Sequence, residues 1–125
     1  MARPKSPTLT EAELRLMQIL WISGPATVGD VTAALPRHIG LAYNTVLTTL
    51  RILESKGFVK RKKLGRAHVY SPKVDRTTAS RSALRHVVSR FFDNSPELLV
   101  LNLLDDEKVL PEELARLKAA IRAAK

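Results

Sequence analysis

Residues 41–72 read LAYNTVLTTLRILESKGFVKRKKLGRAHVYSP, and their periodicity changes from helical to alternating about half-way along. In the first half Val46, Leu47, Leu50 and Leu53 recur at the three- and four-residue spacing that lines one side of a helix. The other side keeps Tyr43, Asn44, Thr45, Thr48 and Thr49, mostly short side chains that both donate and accept hydrogen bonds, with Arg51 adding a cation. Lys56-Gly57 marks the helix end. Phe58 and Val59 then open a strand that carries Lys60, Arg61, Lys62 and Lys63. Leu64-Gly65 makes the turn, Arg66 follows it, and Ala67 and Val69 alternate with His68 and Tyr70 until Pro72 ends the pairing. A polar helix face suited to base edges, beside a cationic ribbon suited to phosphates, points to double-stranded DNA.

The charge distribution agrees. The 125-residue chain has a net charge of +9 and a pI near 10.4, and its 45% hydrophobic content is enough for a packed core. Residues 1–80 hold thirteen Lys/Arg against five Asp/Glu, whereas residues 81–125 hold eight against seven, so the electrostatic footprint lies in the first part. With no cysteine there is neither a disulfide framework nor a thiolate metal site, which fits a reducing cytoplasm. The opening MARPKSPTLT has cations but no apolar stretch after them, so it reads as an arm rather than a secretory signal. No run is long enough to span a bilayer, and no membrane insertion is expected.

Outward from the decisive stretch, the elements fall into order. Thr10 and Glu13 form a capping box with Leu9 and Leu14 as a staple, which starts a first helix at Glu11. Leu14, Met17, Leu20 and Trp21 supply its inward stripe, Trp21 as a core anchor, and Ser23-Gly24-Pro25 stops it. A short second helix follows Thr27, with Asp30 at its amino end, Val28, Val31 and Leu35 spaced for burial, and Pro36 limiting it. The third helix covers roughly residues 42–55 and leads into the hairpin. Three helices and a hairpin make a winged helix-turn-helix domain over residues 1–75.

Beyond Asp75 a longer helix, roughly residues 76–92, carries Ala83, Leu84, Val87, Val88, Phe91 and Phe92, and Asn94-Ser95-Pro96 breaks it and caps the next. The following LLVLNLLDD, which includes Leu98, Leu101 and Leu104, is apolar nearly all round. A short helix of that kind needs more cover than one neighbour offers, and a second copy of the chain is the natural source. The last helix, from Pro111, presents Leu110, Leu114, Leu117 and Ile121. The expected fold class is therefore mainly α with a small β-hairpin: a winged helix followed by a three-helix dimerisation domain over residues 76–125.

Other chemistry has little support. His38, His68 and His86 fall on a loop, a wing strand and a separate helix, with no carboxylate at ligand spacing, so neither catalysis nor a metal is expected. Asp105, Asp106 and Glu107 read as a solvated turn. No glycine-rich phosphate loop or activated serine is present, and no cofactor is implied. Two binding readings stand beside a sequence-specific regulator: a non-specific architectural protein, which needs cations and wedges rather than the Asn/Thr face seen here, and a ligand-sensing winged-helix regulator with an effector cavity.

With those residues placed, the chain resembles the penicillinase-repressor (BlaI/MecI) family of bacterial transcriptional repressors over nearly its whole length. The resemblance rests on Leu14 to Trp21, on Tyr43-Asn44-Thr45-Val46-Leu47-Thr48-Thr49-Leu50 as recognition helix, and on Lys56-Gly57, Gly65-Arg66 and Tyr70-Ser71-Pro72 as wing. It implies a homodimer on a palindromic operator. It also implies a membrane sensor-protease pathway, in which a β-lactam signal leads to cleavage at an asparagine-aromatic bond. The corresponding bond here is Asn102-Leu103, with leucine in the aromatic's place. A copper-responsive branch carries a cysteine-rich tail that this chain lacks.

Overall fold

The structure, a computed structural model, describes residues 8–106 and 108–123, with the backbone alone at Ile121. The arm over residues 1–7, Glu107 of the acidic turn, the Ile121 side chain and the last two residues lie outside the described part. In chain order the elements are α1 (Glu11–Ser23), β1 (Ala26–Thr27), α2 (Val28–Ala34), α3 (Tyr43–Ser55), β2 (Val59–Leu64), β3 (Ala67–Pro72), α4 (Arg76–Phe91), α5 (Pro96–Asp105) and α6 (Pro111–Ala123).

The caps account for where the helices begin. Thr10 Oγ1 accepts from Glu13 N while Glu13 Oε1 accepts from Thr10 N, and Thr27 with Asp30 repeats the box at α2. Ser95 caps α5 and Pro96 takes its first position, where a missing N–H costs nothing. Asp75 Oδ1 accepts from Thr78 N at 2.9 Å at the start of α4. Hydrogen bonds from Thr78, the side-chain one first, hold the Asp75 carboxyl below its ordinary value.

The chain divides into two compact units, Met1–Leu84 and Arg85–Lys125. This division lies inside α4, nine residues beyond the expected 75/76 boundary, because the first turns of that helix pack on the winged unit: Ala79 is buried in its core. Trp21, half-buried, fixes the approach to α4 by donating from Nε1 to Val74 O at 2.9 Å.

In the first unit Leu16, Met17 and Leu20 of α1 meet Val28 and Val31 of α2, Val46, Leu50 and Leu53 of α3, and Phe58, Val59 and Tyr70 of the sheet. Removing each of the large side chains from water stabilises the unit by about 1.5–3 kcal/mol. The inward stripe of α1 is rotated from the expected one. Glu13, Leu16, Met17 and Leu20 are buried while Leu14 is exposed, because the capping carboxylate of Glu13 itself turns inward to meet Lys56. Leu35 and Leu47 are half-buried rather than inside.

The expected hairpin is part of a three-stranded antiparallel sheet of order β1-β3-β2, since Ala26 and Thr27 pair with Tyr70 and Val69. Two residues are too few to show alternation in a sequence, so only the structure reveals β1. The β2–β3 turn is Gly65-Arg66, with Leu64 still paired to Ala67, and Gly65 takes φ +62, a left-handed conformation that glycine adopts without strain.

The second unit comprises the end of α4 with α5 and α6. Asp93 and Asn94 turn the chain in left-handed conformations, φ +48 and +58, before Ser95 restarts it. No residue of α5 is buried, and Val87, Phe91, Leu98, Leu101, Leu103 and Leu110 are all exposed.

Candidate nucleic-acid interface

The core-facing arc of α3 is Val46, Thr49, Leu50 and Leu53. Opposite it, Asn44, Thr48 and Arg51 follow one another at four- and three-residue spacing and are all exposed. Thr48 Oγ1 donates to Asn44 O at 2.9 Å, so its lone pairs and methyl group are what it offers outward. Thr45 is exposed on a flank. Thr49 corrects the sequence reading: it is 8% exposed, and its hydroxyl is engaged by Thr45 O at 2.8 Å. Position 49 lies three residues after Val46, four before Leu53 and one before Leu50, which puts it on the inner arc, where a threonine is tolerated because its hydroxyl bonds back to its own helix.

On the wing, strand pairing sorts the cations by face. Arg61 lies opposite Tyr70 and Lys63 opposite His68, so these four share the face on which Tyr70 enters the core; Lys60 and Lys62 lie opposite Ser71 and Val69 on the other face. Arg61 Nε is 3.6 Å from Glu54 Oε2, which links the wing to the end of α3 and partly neutralises that cation. Lys60 and Lys62, expected among the DNA contacts, therefore lie on the face of the ribbon away from Arg61, Lys63 and His68.

Between α3 and the wing is a cleft of about 200 Å³, lined by Tyr43, Leu47 and Arg51 of α3, Arg66, Ala67, His68 and Tyr70 of the wing, and Thr27 and Val28 at the start of α2. Tyr43, Leu47 and Arg51 are successive-turn neighbours on the flank of α3 beside its outer stripe. Among the described residues neither Arg51 nor Arg66 has an ion-pair partner. Two unpaired guanidinium groups beside an imidazole and the Tyr43 and Tyr70 phenols make an anion-accepting wall next to the Asn44/Thr48 face. The contributions of Thr27, Val28 and Tyr70 were not legible, because they depend on how β1 and α2 pack against β3. The penicillinase repressor pattern matches residues 9–123.

The chain belongs to the penicillinase repressor family. It is, accordingly, a sequence-specific DNA-binding transcriptional repressor. It is similar to the penicillinase repressor of Bacillus licheniformis, 27% identical over 113 residues that make up 90% of this chain and 88% of the relative. It is also similar to the methicillin resistance regulatory protein MecI of Staphylococcus aureus, 22% identical over 114 residues, 91% of this chain and 93% of that one. The solution structure of the DNA-binding domain of the repressor BlaI matches 61% of this chain and 93% of its own length, at TM-score 0.52 and 29% identity. The Bacillus licheniformis BlaI monomer in complex with the blaP half-operator matches 58% of this chain and 88% of its own, at TM-score 0.50 and 29% identity.

In this repressor the residues expected to dimerise fall into two groups. Leu84, Val87, Phe91, Leu98 and Leu101 are exposed, while Val88, Phe92, Leu104, Leu114 and Leu117 are half-buried. Asn102 is exposed within α5, its Nδ2 donating to Leu98 O at 2.8 Å. Among the described residues no helix is long and apolar enough to cross a membrane.

Proposed function

We propose that this repressor acts in the cytoplasm as a homodimer on a palindromic operator. Asn44, Thr45 and Thr48 of each copy read base edges in the major groove, while Arg51, Arg66 and His68, with Tyr43 and Lys63, hold the adjoining backbone. The observation that carries the reading is the outer stripe of α3, polar and exposed, beside a cleft with two unpaired arginines. The dimer is supported by the exposed apolar side chains of the second unit, which a second copy would remove from water.

The proposal extends to release. Cleavage of Asn102-Leu103 by a pathway under a membrane sensor-protease, answering a β-lactam or other envelope signal, would detach the end of α5 and all of α6. The exposure of Asn102 and the absence of buried residues along α5 support access to that segment after local opening. A footprint on DNA upstream of the protein's own coding region tests the DNA reading. A protected palindrome, lost in the Asn44→Ala/Thr48→Ala double variant, is expected; uniform protection of unrelated DNA by both proteins contradicts it.

A further inference from the structure

A second cavity, of about 530 Å³, shares no residue with the α3–wing cleft and lies wholly within the winged unit, between α1 and the start of α4. Its volume falls in the range of small-molecule sites. Trp21 and Phe58 contribute aromatic surface, Leu14 and Ile22 aliphatic walls, and Ala83 the facing side of α4. Leu14 and Ile22 remain 38% and 78% exposed, so this is apolar surface that the unit itself leaves uncovered. Because the Trp21 Nε1–H is already given to Val74 O, the indole presents only its ring to the cavity.

The cavity has one charged residue in its lining, Arg76, whose guanidinium carbon stands 5.6 Å from the centroid of the Trp21 ring. Arg76 is the first residue of α4, where the helix dipole disfavours a cation. The neighbouring carboxylate of Asp75 is engaged as the cap of Thr78, and among the described residues Arg76 has no ion pair. A guanidinium held over a ring, at the rim of an apolar cavity, without an acid of its own, is arranged for an anion from outside.

We propose that this cavity binds a small amphiphilic anion, its apolar body against Trp21 and Phe58 and its carboxylate or similar head on Arg76. Such a ligand gives the repressor an input separate from its DNA surface, on the helix that leads out of the winged unit.

Trp21 is the chain's single tryptophan, so its fluorescence reports the cavity directly. The full chain is titrated with decanoate and, separately, with decanol, both below their aggregation concentrations. Saturable changes are expected, with decanoate bound about tenfold more tightly than decanol. Arg76→Gln should bring decanoate down to the decanol level and leave decanol unchanged, and Ala83→Phe, checked for folding by circular dichroism, should abolish both responses. Equal affinities for the two probes, an unchanged decanoate affinity in Arg76→Gln, or no saturable response overturns the proposal. So does sedimentation in which Ile22→Glu converts a dimer to monomer, which would assign the groove to a second copy.

Discussion

Lys56 Nζ lies 2.7 Å from Glu13 Oε1, with both side chains only 6% exposed. The same ammonium donates to Thr8 O at 2.7 Å and stands 5.9 Å from the centroid of Phe58. Glu13 meanwhile closes the capping box of α1, so one carboxylate both starts that helix and ties it to the corner where α3 passes into the wing.

Lys56→Met leaves the Glu13 carboxylate inside without its cation and should destabilise the fold by about 3–5 kcal/mol, whereas Glu13→Gln/Lys56→Met, which keeps a capping acceptor without a buried charge, should lose clearly less. Urea unfolding of the two variants checks this. Equal losses would mean that the pair's charge is not what matters.

Thr48 and Thr49 are adjacent in sequence, but Thr48 is exposed and Thr49 buried, and they separate recognition from stability. Thr48→Ala should cost roughly 1–3 kcal/mol on the operator and little on random DNA, leaving the unfolding midpoint nearly unchanged. Thr49→Asp, which buries a charge, should lower the midpoint substantially. A Thr49 variant that folds normally but loses operator discrimination would return that residue to the DNA face.

A wing cation that lines the α3 cleft, Arg66, and one on the other face of the ribbon, Lys60, should behave differently. Arg66→Ala is expected to weaken operator and random DNA together and to reduce the salt slope by about one, while Lys60→Ala changes the slope by less. Affinities measured across a salt series decide between them, and equal slopes for the two variants would contradict the pairing argument.

Much of this site was legible because its signals are local. Thr10 with Glu13, Thr27 with Asp30, and Ser95-Pro96 marked helix starts through side chains that bond their own backbone within three residues. The α3 sequence separated Val46, Leu50 and Leu53 from Asn44 and Thr48 by periodicity alone. What was not legible depended on partners distant in sequence. Lys56 meets Glu13 across 43 positions, Trp21 meets Val74 across 53, and β1 exists only through its pairing with β3. Thr49 was misread because its residue type was weighed above its position, three after Val46 and four before Leu53 on the inner arc.

The Asp75 carboxyl, held below its usual value of 3.8 by Thr78, is a depressed acid. Its stabilising effect on the start of α4 is complete above that value and is lost as pH falls through the lower folded-state value. Asp75→Asn should abolish this dependence in strongly acid solution, read as helicity against pH relative to the parent protein. Identical acid profiles for the two would remove Asp75 as a titrating cap.

Phe91→Asp or Leu101→Asp places a charge on the exposed apolar surface of the second unit, and each should yield a folded monomer by sedimentation. A chain ending at Asn102 should likewise keep its winged unit and lose tight operator binding. A parent protein that is itself monomeric at micromolar concentration would contradict the dimer.

The most direct test is the binding isotherm of the full chain, at one fixed salt concentration, on a palindrome selected from random duplexes, on its single half-site and on unselected DNA. The account predicts that the palindrome binds about 10²–10⁴-fold more tightly than the half-site, because the second copy engages at high effective concentration, and that the half-site still exceeds unselected DNA. Equal affinities for all three would contradict it.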